Sequence, residues 1–273
     1  MRYLLILFAC AASLAAQKRL IVCGDDGGAL HSINDGTIQA YDNGIQKCAN
    51  VIVPGPWFND IAARLNERPG IVVGVHLTLT AEWDLVKWRP LTDGKTLVDE
   101  NGYFFATTRG FVNNKPDLGE IERELRAQIE RAKRSLKNVV WLTPHMGTAL
   151  ATPEIRAVAE RLAAEYKLPL IRSISGLTNT RFPRPAAGQT AGQAWKAHFE
   201  ALAPGTYFMI EHPSTDTAEA RAMGHPGSRE VAAQRAAVLQ TWTDPAVKEA
   251  LAKAGVELLT PDQVRAALKA YTH

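Results

Sequence analysis

Short, wholly apolar runs alternate along this chain with longer segments whose apolar positions recur at helical spacing. Runs with no polar face are the pattern of strands in a parallel sheet, covered on both sides. Arg19–Cys23, Cys48–Val53, Ile71–Val75, Val139–Leu142, Leu168–Ile171 and Tyr207–Ile210 read as such strands. Between them the spacing predicts helices over 29–43, over 59–66 with Asn59 as its cap, and over 152–166 with Thr152 as cap and Pro153 in the first turn. The clearest helix spans 117–137: Asp117 can cap it, Glu120 follows three residues on, and Leu118, Ile121, Leu125 and Ile129 form one stripe. From Arg229 the pattern predicts helix, a break at Asp244 and Pro245, helix, a short strand VELLT and a last helix. Residues 82–116 and 176–192 have no clear period, and long irregular segments in a compact domain usually serve as lids or binding loops.

Alternating strands and helices predict an α/β fold, and 273 residues suit a single (β/α)-type barrel. With 31 basic and 28 acidic residues interspersed, the chain carries no electrostatic footprint for nucleic acid. At the N-terminus, Arg2, the apolar stretch Tyr3–Leu14 and the small residues around Ala15 and Ala16 read as a signal peptide over 1–16. That stretch is shorter than the roughly 20 residues of a spanning helix, so export to the periplasm or outside the cell is expected, with no membrane span. Lipid attachment at Cys10 is the lesser alternative. The mature chain then keeps Cys23 and Cys48 on the first two strands, where a bridge is conceivable, but two buried free thiols are expected.

Chemistry-bearing residues stand where the apolar runs stop. KRLIVCGDDGG ends in Asp25 and Asp26, GIVVGVH in His76, VVWLTPH in His145, and YFMIEH in His212. Alone, DDGG reads as readily as an Asp-Gly turn, and a single strand-end His as a core residue. In a parallel barrel all these ends share one rim, where Asp plus two His could hold a divalent cation and the second Asp could act on water. The donor set suits zinc or another transition metal, whereas magnesium prefers more oxygen.

At these residues the sequence resembles the YdjC/ChbG-like carbohydrate deacetylases. The matching pieces are LIVCGDDGG, GIQKCANVIVPGPWF, GVHLTLT, ELRAQIERA, PHMGT, LPLIR and IEHP, which run in order over nearly the whole mature chain. The resemblance implies a distorted, TIM-like (β/α) barrel over 17–273, one divalent metal ion (Mg2+ or Zn2+) and an N-acetylated oligosaccharide substrate. It further implies Asp26, His76 and His145 as metal ligands, Asp25 as the base and His212 as the proton donor to the leaving amine. Arg172 and Gln128 fall at site-supporting positions. Trp88, with Trp83, Tyr103 and Phe104, could stack on sugar rings or fill the core of its own loop.

Three positions depart from the family pattern: Gly27 where Phe is usual, Thr143 where Asp is usual, and Ser214 where Gly is frequent. Gly27 is expected to remove an apolar wall beside the aspartates and alter specificity, and Thr143 to remove a carboxylate that would orient an imidazole. Those losses favour a secreted carbohydrate-binding or sensory protein with a degenerate site as one alternative. An esterase acting on O-acetylated polysaccharide is another. Whether a second copy joins to form a homodimer is left open by the sequence.

Overall fold

The computed structural model describes residues 17–171 and 177–269; the segment read as a signal peptide, including Cys10, and Arg172 lie outside the described residues. Apolar runs become strands β1 (Lys18–Gly27), β2 (Cys48–Val51), β3 (Val72–Leu77), β4 (Val139–Pro144), β5 (Leu177–Asn179), β6 (Gly205–Glu211) and β7 (Val256–Leu258). They pair in the order β4-β3-β2-β1-β6-β5, with β7 against the start of β1, and every pairing is parallel. The sheet curls into an incomplete (β/α) barrel, the distorted barrel that the family resemblance implies.

The helices are α1 (His31–Asn43), α2 (Phe58–Asn66), α3 (Thr108–Asn113), α4 (Leu118–Ser135), α5 (Pro153–Tyr166), α6 (Ala191–Glu200), α7 (Val231–Thr243), α8 (Pro245–Lys253) and α9 (Pro261–Lys269). Asp117 caps α4 by accepting from the Glu120 amide, and Thr152 caps α5 by accepting from Ile155. Asn59 does not cap α2, which starts one residue earlier behind Trp57. The run Leu168–Ile171 is not a strand: a single parallel bridge joins Leu170 to Leu142. Part of the segment read as loop, 177–179, is instead an exposed strand beside β6, and α6 forms where no element is predicted.

The irregular segment 82–116 is pinned rather than free. Buried Glu124 of α4 accepts from the amides of Leu91 and Thr92 at 3.1 and 2.9 Å. Glu120 accepts from the amide and hydroxyl of Thr96 at 2.7 and 2.6 Å. Trp83, Trp88, Phe104 and Phe111 are buried beneath it, so its aromatics fill the loop's own core.

Cys23 and Cys48 are not free thiols. They are register partners on adjacent parallel strands, their Cα atoms lie 4.6 Å apart, and they form a disulfide. Local sequence cannot decide this, because a buried Cys and a paired Cys have the same apolar neighbours. The bridge closes a loop with a sequence separation of 25. Chain-entropy reasoning for a loop of that size assigns it about 3.5 kcal/mol. Replacing both cysteines by alanine is therefore expected to lower the urea unfolding free energy by about 3.5 kcal/mol without changing the fold, as read by equilibrium denaturation followed by circular dichroism.

Candidate active site

Neighbouring residues of a strand face opposite ways, so two consecutive aspartates can share one site only if the strand breaks its alternation. It does so here: the register of β1 against β2 shifts between Gly24 and Gly27, and Asp26 adopts φ 66°. Aspartate is among the few non-glycine residues that tolerate this region. Both carboxylates consequently converge on His76 of β3, with Asp25 Oδ2 at 3.4 Å and Asp26 Oδ1 at 3.5 Å from Nε2. Gly28 completes the turn at φ 97°, and a Cβ there would lie 2.8 Å from the Ile52 carbonyl oxygen.

Gly27 does not shape the pocket as expected. A Cβ at this position would meet Ile61 and Val51 at 3.4 Å, so its side chain would enter the core against α2 rather than the space above the aspartates.

Each imidazole has one nitrogen engaged by a neighbour and the other turned to Asp26. His76 Nδ1 lies 2.7 Å from Thr143 Oγ1, leaving Nε2 toward the aspartates. His145 follows β4 and places Nε2 3.0 Å from Glu82 Oε2, leaving Nδ1 at 3.4 Å from Asp26 Oδ1. The Thr143 hydroxyl thus orients one ring, and Glu82 supplies a carboxylate to the other, so the orienting groups are present despite the missing aspartate at 143. Asp26 Oδ2 accepts a 2.7 Å hydrogen bond from Arg235 of α7, whose guanidinium lies 5.0 Å above the Trp83 ring. Asp26 Oδ1 is buried with no hydrogen-bond partner among the described residues. A fully buried carboxylate oxygen without a partner is costly, and here it faces one nitrogen of each of two imidazoles. Asp26, His76 and His145 offer donor atoms that all lie within 4.8 Å of one another, so this residue set fits a divalent cation.

Electrostatics follows from the same contacts. Burial pushes the Asp26 carboxyl up, but Arg235, His212 and His145 outweigh it and hold it well below the usual range. Burial pushes His76 down, against the pull of Asp25 and Asp26. For His145 burial acts in the same sense, yet Glu82 and Asp26 beside it hold it up at about 10. His212, half-buried with Nε2 3.7 Å from Asp26 Oδ2, is depressed by burial and Arg235 but raised overall by Asp26, Glu211 and Asp25.

The fold therefore brings together Asp25 and Asp26 of β1, His76 of β3, and His145 and His212 immediately after β4 and β6. Gln128 is not in the pocket: it is fully buried in α4, bonded through its amide to the Thr78 backbone N–H and C=O at 2.9 and 2.8 Å and to Glu124, and so stiffens the strand end behind His76. Trp88 is not an exposed sugar platform either. It is buried, donates to the Thr80 carbonyl at 3.0 Å and lies 6.0 Å from the His145 ring as a wall behind it. Sequence reasoning missed Asn50, which donates to Asp25 Oδ1 at 2.6 Å, as well as Glu82 and Arg235. The available signals were a lone Asn inside the apolar run CANVIV and a lone Arg on the buried face of α7 formed by Ala232, Val238, Leu239 and Trp242. Beside the site, a cavity of about 270 Å³ is lined by Trp83, His212 and Arg235, and a second of about 680 Å³ shares Arg184 and Glu211 with it.

The sequence profile described as YdjC-like protein matches residues 19–253. The "Carbohydrate deacetylase" of Thermus thermophilus is 33% identical over 276 residues, covering 87% of this chain and 97% of the relative. The "Carbohydrate deacetylase" of Geobacillus stearothermophilus is 29% identical over 249 residues, covering 88% and 95%. In fold, the chain is similar to the crystal structure of an Enterococcus faecalis protein described as a cellobiose-phosphate cleavage protein, with TM-score 0.73 at 21% identity over 91% of this chain and 99% of the other. The match from the first strand through α8, together with the strand-end aspartates and histidines described above, places this chain in the YdjC-like protein family.

Proposed function

We propose that this chain is a metal-dependent carbohydrate deacetylase that hydrolyses the acetamide of N-acetylated oligosaccharides. The observation that carries the metal dependence is Asp26 Oδ1, buried, without a hydrogen-bond partner among the described residues, and faced by His76 Nε2 and His145 Nδ1. The carbohydrate deacetylases among its relatives support the reaction and the sugar class. Asp26, His76 and His145 would hold the ion, Mg2+ or Zn2+, which when bound supplies Lewis acidity at the acetyl carbonyl and lowers the pKa of water.

The chain's own residues carry the proton transfers. Asp25 has Oδ1 engaged by Asn50 and Oδ2 turned into the site, so Oδ2 accepts the proton of the attacking water. The water oxygen bonds to the acetyl carbon, the C–N bond breaks, and His212, at the edge of the 270 Å³ cavity, donates a proton to the departing amine. Arg235 fixes Asp26 from the opposite side and keeps one buried guanidinium nitrogen without a partner among the described residues. The adjoining 680 Å³ cavity offers room for further sugar units, which supports an oligosaccharide over a single sugar. The oriented imidazoles favour a working site over a degenerate one. Export by the N-terminal segment is part of the same proposal, and the Cys23–Cys48 disulfide supports it, since such bonds persist in oxidising compartments.

Acetate release from chitooligosaccharides, measured with and without a chelator, tests the reading. Activity is expected to vanish on chelation and to return with added Zn2+ or Mg2+; equal rates with chelator would defeat the metal dependence, and faster release from O-acetylated than from N-acetylated substrates would point to an esterase. Asp25→Asn is expected to lower kcat by at least about 100-fold, the lower bound of general-base catalysis. Glu82→Gln keeps the shape of the side chain but weakens its hold on His145, and is expected to reduce metal affinity by about 10–100-fold in a direct metal titration while the protein remains folded.

A further inference from the structure

We infer that Asn50 and Trp141 form a hydrogen-bonded brace that positions Asp25 as the proton acceptor, an inference that rests on the role of Asp25 proposed above. Asn50 of β2 is the register partner of Gly74 in β3, and Gly74 is the partner of Trp141 in β4, so the three lie in one row across the sheet. Neighbouring strands are about 4.8 Å apart, and a side chain from β4 must cross the whole of β3 to reach β2. Gly74 allows the crossing: a Cβ there would coincide with the Trp141 indole and the Asn50 amide.

Through that gap Trp141 Nε1 donates to Asn50 Oδ1 at 2.5 Å, and Asn50 Nδ2 donates to Asp25 Oδ1 at 2.6 Å. A side-chain amide can be turned end for end, but an indole nitrogen only donates, so it selects the carbonyl end of Asn50 and leaves the NH2 end for Asp25. Asp25 Oδ1 is thereby spent, and Oδ2, 3.4 Å from His76 Nε2, is the oxygen left to take a proton. The indole is itself held in the core beneath the sheet, edge-on to Phe208 with ring centroids 6.0 Å apart. Asn50 and Trp141 are fully buried and line neither cavity beside the site, so both are positioning residues.

Trp141→Phe removes the N–H while keeping an aromatic ring; Asn50→Ala removes the amide. Loss of one neutral hydrogen bond in the brace is expected to lower kcat for acetate release by about 3–10-fold in Trp141→Phe, with KM little changed. Because Trp141 acts only through Asn50, the Trp141→Phe change is expected to add nothing in an Asn50→Ala background. Independently of turnover, 1H–15N spectra of the wild type and Asp25→Asn are expected to show the Trp141 indole and Asn50 side-chain signals moving together. Additive losses in the double variant, a Trp141→Phe protein that only melts earlier with kcat intact, or an indole signal indifferent to Asp25→Asn would each overturn the brace. A wild type that releases no acetate overturns the deacetylase reading instead, and the spectra then decide the brace by themselves.

Discussion

A buried negative charge needs partners, and the carboxylate of Asp26 is the point on which the site depends. Its two oxygens are treated differently. Arg235, brought in by α7 from 209 residues away, saturates Oδ2, while Oδ1 is left to the two imidazoles. The division has a physical reason: with both oxygens bonded to protein the carboxylate would be a structural ion pair, and with neither bonded it would be too costly to hold ionised in the interior. Keeping one oxygen in reserve makes Asp26 available to a cation while its charge remains compensated.

The remaining structure serves that arrangement by restricting how its groups can move. Parallel strands deliver the donors to one rim, and the register break at Gly24–Gly27 turns consecutive aspartates toward the same space. The long segment after β3 contributes Glu82 and the wall formed by Trp83 and Trp88, and it is anchored from beneath by Glu120 and Glu124 of α4. Orientation of the two imidazoles that face Asp26 is thus shared between the threonine at 143 and a glutamate.

The strand-end residues were legible in the sequence because a parallel strand is apolar on both faces, so an Asp or His at its end stands out. Helix α4 was legible from its cap and stripe. What escaped was of another kind. Asn50, Glu82 and Arg235 each look like an incidental polar residue in its own segment, and only the tertiary fold shows what each one touches. The paired cysteines escaped because pairing depends on strand register, which pattern alone does not fix. Trp83 and Trp88 were ambiguous because an aromatic in an irregular segment has the same appearance whether it faces a ligand or the loop's interior; burial settled them. Leu168–Ile171 shows the limit of short apolar runs, which are strand-like in composition wherever they are buried.

The disulfide lies two residues before Asp25 on one strand and two residues before Asn50 on the next. A strand that slips by one position turns every side chain to the opposite face, and such a slip here would separate the aspartate from its amide. The covalent link forbids that error at a junction of the sheet where alternation is already broken. Its influence therefore extends beyond the free energy of folding to the placement of Asp25 against Asn50, so that one covalent bond guards the register of two polar side chains.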